Sequence, residues 1–189
     1  MPMLTSSHQT RAILPQFQWE IFRHPPSSPD LAPSDFFMFA NFKNIFKKLV
    51  LNFLKSILKP EGILCFQESD AINAGVGADT LSLHQSAIQW IWETVKQEGG
   101  NIHIGQNLYN LFNNNGMHVV DYFAEVVIQT SMDNDLAWLV DVMLQRMKAH
   151  GVINDDFSLD EFKSNLEQEA INNQCAFIRD MAFGIIGKA

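Results

Sequence analysis

Apolar positions fall into runs of two kinds along this chain, and the change of period marks its elements. "FQWEIF", Phe17 to Phe22, alternates and predicts one short strand. Ser34 is placed to cap a helix running from Asp35 toward Lys48. "LVLNFLKSILK" continues at helical spacing and stops at Pro60. "ILCFQ", Ile63 to Gln67, is short and wholly apolar before its last residue, as a buried strand would be. "ESDAINAGVGADT" predicts a loop, and helical spacing returns at His84 to Glu98 and Gly105 to Asn115. Gly99–Gly100 and Gly116 stand where those helices should stop. "MHVVDYFAEVVIQT" is long and rich in β-branched and aromatic residues, which predicts a strand. Helices at Asn134 to His150 and Leu159 to about Asn173 follow, then a buried strand over "MAFGIIGKA".

From Leu49 onward the order is helix, strand, helices, long strand, helices, strand, which is an α/β pattern. Before it, Met1 to Asp35 holds six of the seven prolines and few periodic apolar positions. The stretch from Pro25 to Pro33 should therefore be extended or turned. We divide the chain into an irregular and helical appendage, 1–48, and a domain, 49–189.

Charge sharpens that division. Up to Pro60, seven Lys or Arg against Glu20, Asp30 and Asp35 leave +4. Beyond it, six against eighteen acids leave −12, and together they make the net −8. A domain-sized acidic part disfavours nucleic acid as a partner. The basic run "FKNIFKKLVLNFLK" reads as a solvated lysine face over an apolar stripe rather than a phosphate or membrane contact. No apolar run reaches the length of a membrane span, and the start has no signal-like core. Cys65 and Cys175, far apart in apolar surroundings, suggest two buried thiols in a reduced, cytoplasmic chain.

"WEIFRHPPSSPDLAPSDFFMFANFKN", Trp19 to Asn44, resembles the end of the catalytic domain of mariner-family transposases, with S-P-D-L-A-P-S-D intact from Ser28 to Asp35. Ser27 stands where that family usually has Tyr. The resemblance makes Asp35 the third acid of a two-metal site. Two ions at the ends of an in-line phosphoryl displacement need several carboxylates, and the other two acids have no counterpart here. Asp35 is then an acid at a helix start, favoured by the macrodipole.

"LKSILKPEGILCFQESD" resembles the region of the fifth strand in Rossmann-like S-adenosylmethionine-dependent methyltransferases, with Glu61 in place of a turn glycine. "NIHIGQNLYNLFNNNGMHVVDYFAEVVI" is similar to that family's next segment, with Gly105, Leu108, Leu111, Gly116 and Asp121 in register. "HGVINDDFSLDEFKSNL" and the ending "MAFGIIGKA" fit as well. The resemblance implies a partial Rossmann-like fold: the last three strands of a seven-stranded sheet, with the final strand reversed. It implies S-adenosylmethionine as cofactor, but the first strand, its Gly-rich turn, the ribose-holding acid and the fourth strand have no counterpart in this chain. "GVGAD", Gly75 to Asp79, follows the wrong strand to replace that turn and reads as a loop.

Within that reading, Glu68 and Asp70 sit just past a strand tip, where open α/β sheets bind ligands, and His84 could serve as a base. These three are the candidate substrate-binding residues, for a small-molecule acceptor. Their competing readings are capping, solvation and structural histidine. Trp90 and Trp92 lie on different faces of one helix, so at least one packs in the core. His103, His118 and His150 show no metal spacing. The expectation is a methyltransferase-like protein, inactive alone, dimerising or taking up a cofactor-binding half through an unpaired inner sheet edge. The alternatives are a transposase-derived nucleic-acid-binding protein and a non-functional chimera.

Overall fold

The computed structural model describes residues 44–189. The expected strand at Phe17–Phe22, the Ser34 cap and Asp35 lie outside the described residues. Helix α1, Asn44–Ile57, runs without a break across the division at Lys48 and Leu49. It is followed by β1 (Ile63–Asp70), α2 (Ser82–Gln97), α3 (Ile104–Asn114), β2 (His118–Thr130), α4 (Leu136–Ala149), α5 (Leu159–Asn172) and β3 (Ala176–Lys188). The α/β order expected from the apolar spacing is present, with mixed helices and one three-stranded sheet.

The sheet order is β1-β3-β2, and β3 is antiparallel to both neighbours. The last strand of the chain is thus the middle strand of the described sheet. Its composition suits that place, since Phe183, Gly184, Ile185, Ile186 and Gly187 form one buried run. β3 begins at Ala176, five residues before the expected start, because Phe177 and Ile178 also pair with β2.

Helices cover both faces. Phe66, Phe183 and Ile185 share a face with Leu108 and Phe112 of α3 and Leu51 of α1. Phe177 faces the other way and is gathered with α2, α4 and α5, through residues such as Ile88, Val95, Leu139, Met143, Phe162 and Leu166. Trp90 and Trp92 both pack against this second cluster, Trp90 edge-on to Phe157 at 5.6 Å. The expectation that at least one of them packs is met by both.

Two glycines permit the close approach of α3. A Cβ at Gly105 would lie 2.4 Å from the Phe183 ring and 3.0 Å from Asp70 Cβ. Gly116 ends the helix at φ 68°, a conformation that favours glycine. Lys55 of α1 then donates to the carbonyls of Asn115 (2.9 Å) and Gly116 (2.8 Å). A cation thus meets the unpaired carbonyls and negative dipole end of α3. Glu61 adopts φ 68° without a glycine's freedom. Its carboxylate pairs with Lys188.

Three expectations need correction. β1 extends to Asp70, so Glu68 and Asp70 belong to the strand itself. The strand is not buried on both sides: Cys65, Gln67 and Ser69 are exposed while Glu68 and Asp70 are buried. The cysteines are not two buried thiols, since Cys65 is exposed and Cys175 only half-buried. Alternation in β1 turns Cys65 to the face that α3 does not cover. Even so, partial burial raises the Cys65 thiol above its usual range.

Candidate functional site

Asp70 closes β1 with a carboxylate that is wholly buried. Its Oδ1 accepts from the Ile72 N–H (3.0 Å), His103 Nδ1 (3.0 Å) and Gln106 Nε2 (3.3 Å), and its Oδ2 from the Gln106 N–H (3.0 Å). A carboxylate only accepts, so the His103 ring nitrogen is a donor here. The Gln106 N–H is one of the orphan donors of the first turn of α3. The helix has no cap of its own: His103 precedes it and makes no side-chain capping bond to it. Asp70 supplies the cap from another element and places its charge at the positive end of the dipole. Tyr122 reinforces the joint, donating its hydroxyl to the Gly105 carbonyl at 2.9 Å. Burial, and after it the Asp70 charge, raises the Tyr122 phenol above its usual range.

Helix α2 starts in the same way. Leu81 precedes it with no side-chain capping bond. Glu169 of α5 takes that place: its Oε1 and Oε2 accept from the Leu83 N–H at 2.9 and 3.0 Å, and Oε2 from the His84 N–H at 3.0 Å. The Ser82 hydroxyl donates to Oε1 at 3.0 Å and His84 Nδ1 meets Oε2 at 2.8 Å. Partial burial by itself raises the Glu169 pKa. The Leu83 N–H, the His84 ring and N–H, and the Ser82 hydroxyl together outweigh that and hold it below the usual carboxylate range. His84 is wholly buried, with Nε2 3.4 Å from the Ser131 carbonyl and its ring against Phe177.

The three candidate substrate residues are therefore split between two places. Glu68 and Asp70 lie together on one face at the end of β1, opposite Phe183 and Met181 of β3, and both are buried. His84 belongs to the other helix start. Glu169, the partner of His84, was not singled out by sequence reasoning. Its signal was faint, an acid in an acidic helix. His103, set aside as a metal ligand, is instead the partner of Asp70. Among the described residues no group of three or more His, Cys, Asp or Glu could hold a metal ion.

A third polar group lies where β3 bulges. Val127 pairs with Asp180 and Ile128 with Ile178, which leaves Arg179 as the extra residue. A bulge of this kind re-aims a side chain. Arg179 points to Asp180 (Nη1 to Oδ2, 3.1 Å) and Asp135 (Nε to Oδ1, 3.8 Å). Neither contact is aligned as a hydrogen bond. Both Asp180 oxygens, Arg179 Nε and Gln129 Oε1 are buried without a hydrogen-bond partner. Burial raises the Asp180 carboxyl. The Arg179 charge and the nearby Ser69 hydroxyl, whose contact falls short of a formed bond, lower it, and the Asp135 and Asp70 charges raise it again. The balance stays above the usual range.

Among the described residues no helix is long and apolar enough to cross a membrane. A scan against protein-family models and a search of curated proteins return no match for this chain.

Proposed function

We propose that residues 49–189 are the C-terminal part of a Rossmann-like S-adenosylmethionine-dependent methyltransferase domain, that 1–48 is a mariner-transposase-like remnant, and that the chain alone binds no S-adenosylmethionine. One observation carries the reading. β3 lies between β1 and β2 and runs against both, which leaves β1 and β2 parallel to each other. A reversed final strand is what the resemblance implies, so this arrangement supports the reading. Parallel strands need a long crossover, and α2 and α3 supply it. The residues of the resembling segment also have matching duties: Gly105 admits Phe183, Leu108 is buried and Gly116 ends α3.

The described residues do not fit the cofactor. Anionic groups of nucleotide-like ligands are held at helix N-termini, and here each helix start from α2 to α5 already has a carboxylate of this chain. Glu169 fills the start of α2 and Asp70 that of α3. Asp135 precedes α4, while Asp160 and Glu161 lie in the first turn of α5.

Calorimetric titration of the chain with S-adenosylmethionine should give no binding heat, and saturable binding would refute the proposal. Amide exchange tests the fold beneath it. β3, flanked on both sides, should exchange most slowly of the three strands. Edge-like exchange along β3 would remove the reading's main support.

A further inference from the structure

We propose that the outer edge of β2 pairs with a second copy of this chain, the two strands running antiparallel about Val126. β2 uses one edge for β3. At its end, Thr130 donates its N–H to the Asp133 carbonyl (3.2 Å) and accepts from Asn134 Nδ2 (3.1 Å), so Thr130 turns its backbone groups away from β3. Backbone direction alternates along an antiparallel strand. Tyr122, Ala124, Val126 and Ile128 therefore present their backbone groups to the same outer side. The Tyr122 N–H is already taken by the Asp121 carboxylate at 2.9 Å. Among the described residues, what stays open is a window from Ala124 to Ile128, bounded by a blocked group at each end.

The window is unlike a protected edge. Edge strands are commonly kept from pairing by Lys, Pro or short length. This strand has thirteen residues and neither Lys nor Pro. Ala124, Val126 and Ile128 expose their side chains, Ile128 by 66%. The single charge in the window is Glu125.

A two-fold axis makes such an interface self-complementary, and both the blocked ends and the charge select its register. Centred on Val126, the pairing sets Ala124 against Ile128 of the second copy and uses the whole window. Glu125 then faces Val127. Centred on Glu125, two glutamates would stand opposite each other, an unfavourable cross-strand pair. Centred on Ala124 or Val127, the pairing would spend a position on Tyr122 or Thr130, which is already bonded. This edge lies at the opposite side of the sheet from β1, the inner edge first expected to associate.

Sedimentation of the full chain across a wide concentration range should show a reversible dimer. Val126→Lys and Ile128→Lys should each weaken it by about tenfold or more, with an unchanged circular dichroism spectrum. In a Cys65→Ser background, Val126→Cys should form an intermolecular disulfide, because facing residues of this kind lie about 5.5 Å apart at Cα. Ala124→Cys should not. A monomer at every concentration, a dimer indifferent to both lysines, or cross-linking through Ala124→Cys but not Val126→Cys would overturn the proposal. If the lysine variants fail to fold, the two cysteine variants decide it alone.

Discussion

Helices α2 and α5 begin under opposite arrangements. α5 is closed by its neighbour in sequence: Ser158 has extended backbone and its hydroxyl accepts from the Glu161 N–H at 3.3 Å. α2 is closed by Glu169, which is 86 residues from Leu83 and lies on α5 itself. The first is a local device that either helix fragment could form. The second exists only once the tertiary structure is complete, so it joins two helices as well as ending one. α3 follows the second pattern, with Asp70 in the role of Glu169.

Substitutions can test whether the remote caps stabilise more than the local one. Asp70→Ala should have the largest effect, a loss of about 3–4 kcal/mol, because four donors around a buried site would be left without an acceptor. Chemical denaturation should show it as a lower midpoint with an unchanged slope. Glu169→Ala should cost about 3 kcal/mol on the same grounds, with His84 stranded in the core. Its pH dependence gives a second readout. The folded-state pKa of Glu169 is lowered, so its contribution is fully present above the unfolded value and fades as pH falls through the folded one. In the Glu169→Ala variant that acid-side slope should shrink.

Asp180→Asn should move the other way. Its pKa is raised in the folded state, so the ionised form opposes folding at neutral pH and the cost is relieved as pH falls through the folded value. Replacement should raise stability at neutral pH, with the gain vanishing in acid. Thermal unfolding at two pH values would show this. Ser158→Ala, the local cap, should cost about 1 kcal/mol, measurable by the same denaturation. A loss at Ser158 equal to that at Asp70 would dissolve the contrast.

The contrast also explains what could be read in advance. Helix spacing, the stops at Gly99 and Gly116 and the long strand at β2 are local properties, and they were legible. The extension of β1 to Asp70 was not, because Glu68 and Asp70 look like loop residues until β3 and α3 cover them. The early start of β3 is hidden for a related reason: Phe177 packs among helices that precede it in the chain. Ser82-x-x-Gln85 has the form of a local capping box, yet the Ser82 hydroxyl turns to Glu169. Nothing in the neighbourhood of Ser82 announces a carboxylate so far along the chain. Among the candidate residues, Asp70 and His84 are both buried and hydrogen-bonded at helix starts. Their partners, Glu169 and His103, are fixed by tertiary contacts alone.

The distant cap on α2 has a consequence for the order of events in synthesis. When α2 leaves the ribosome, its first turn carries donors that no emerged residue can satisfy, and the polypeptide must reach Glu169 before they are met. Closure of that loop is slow relative to helix growth. A nascent chain ending before α5 would hold α2 as a fraying helix, with His84 open to solvent. Completion of the helical cluster therefore waits until α5 has emerged.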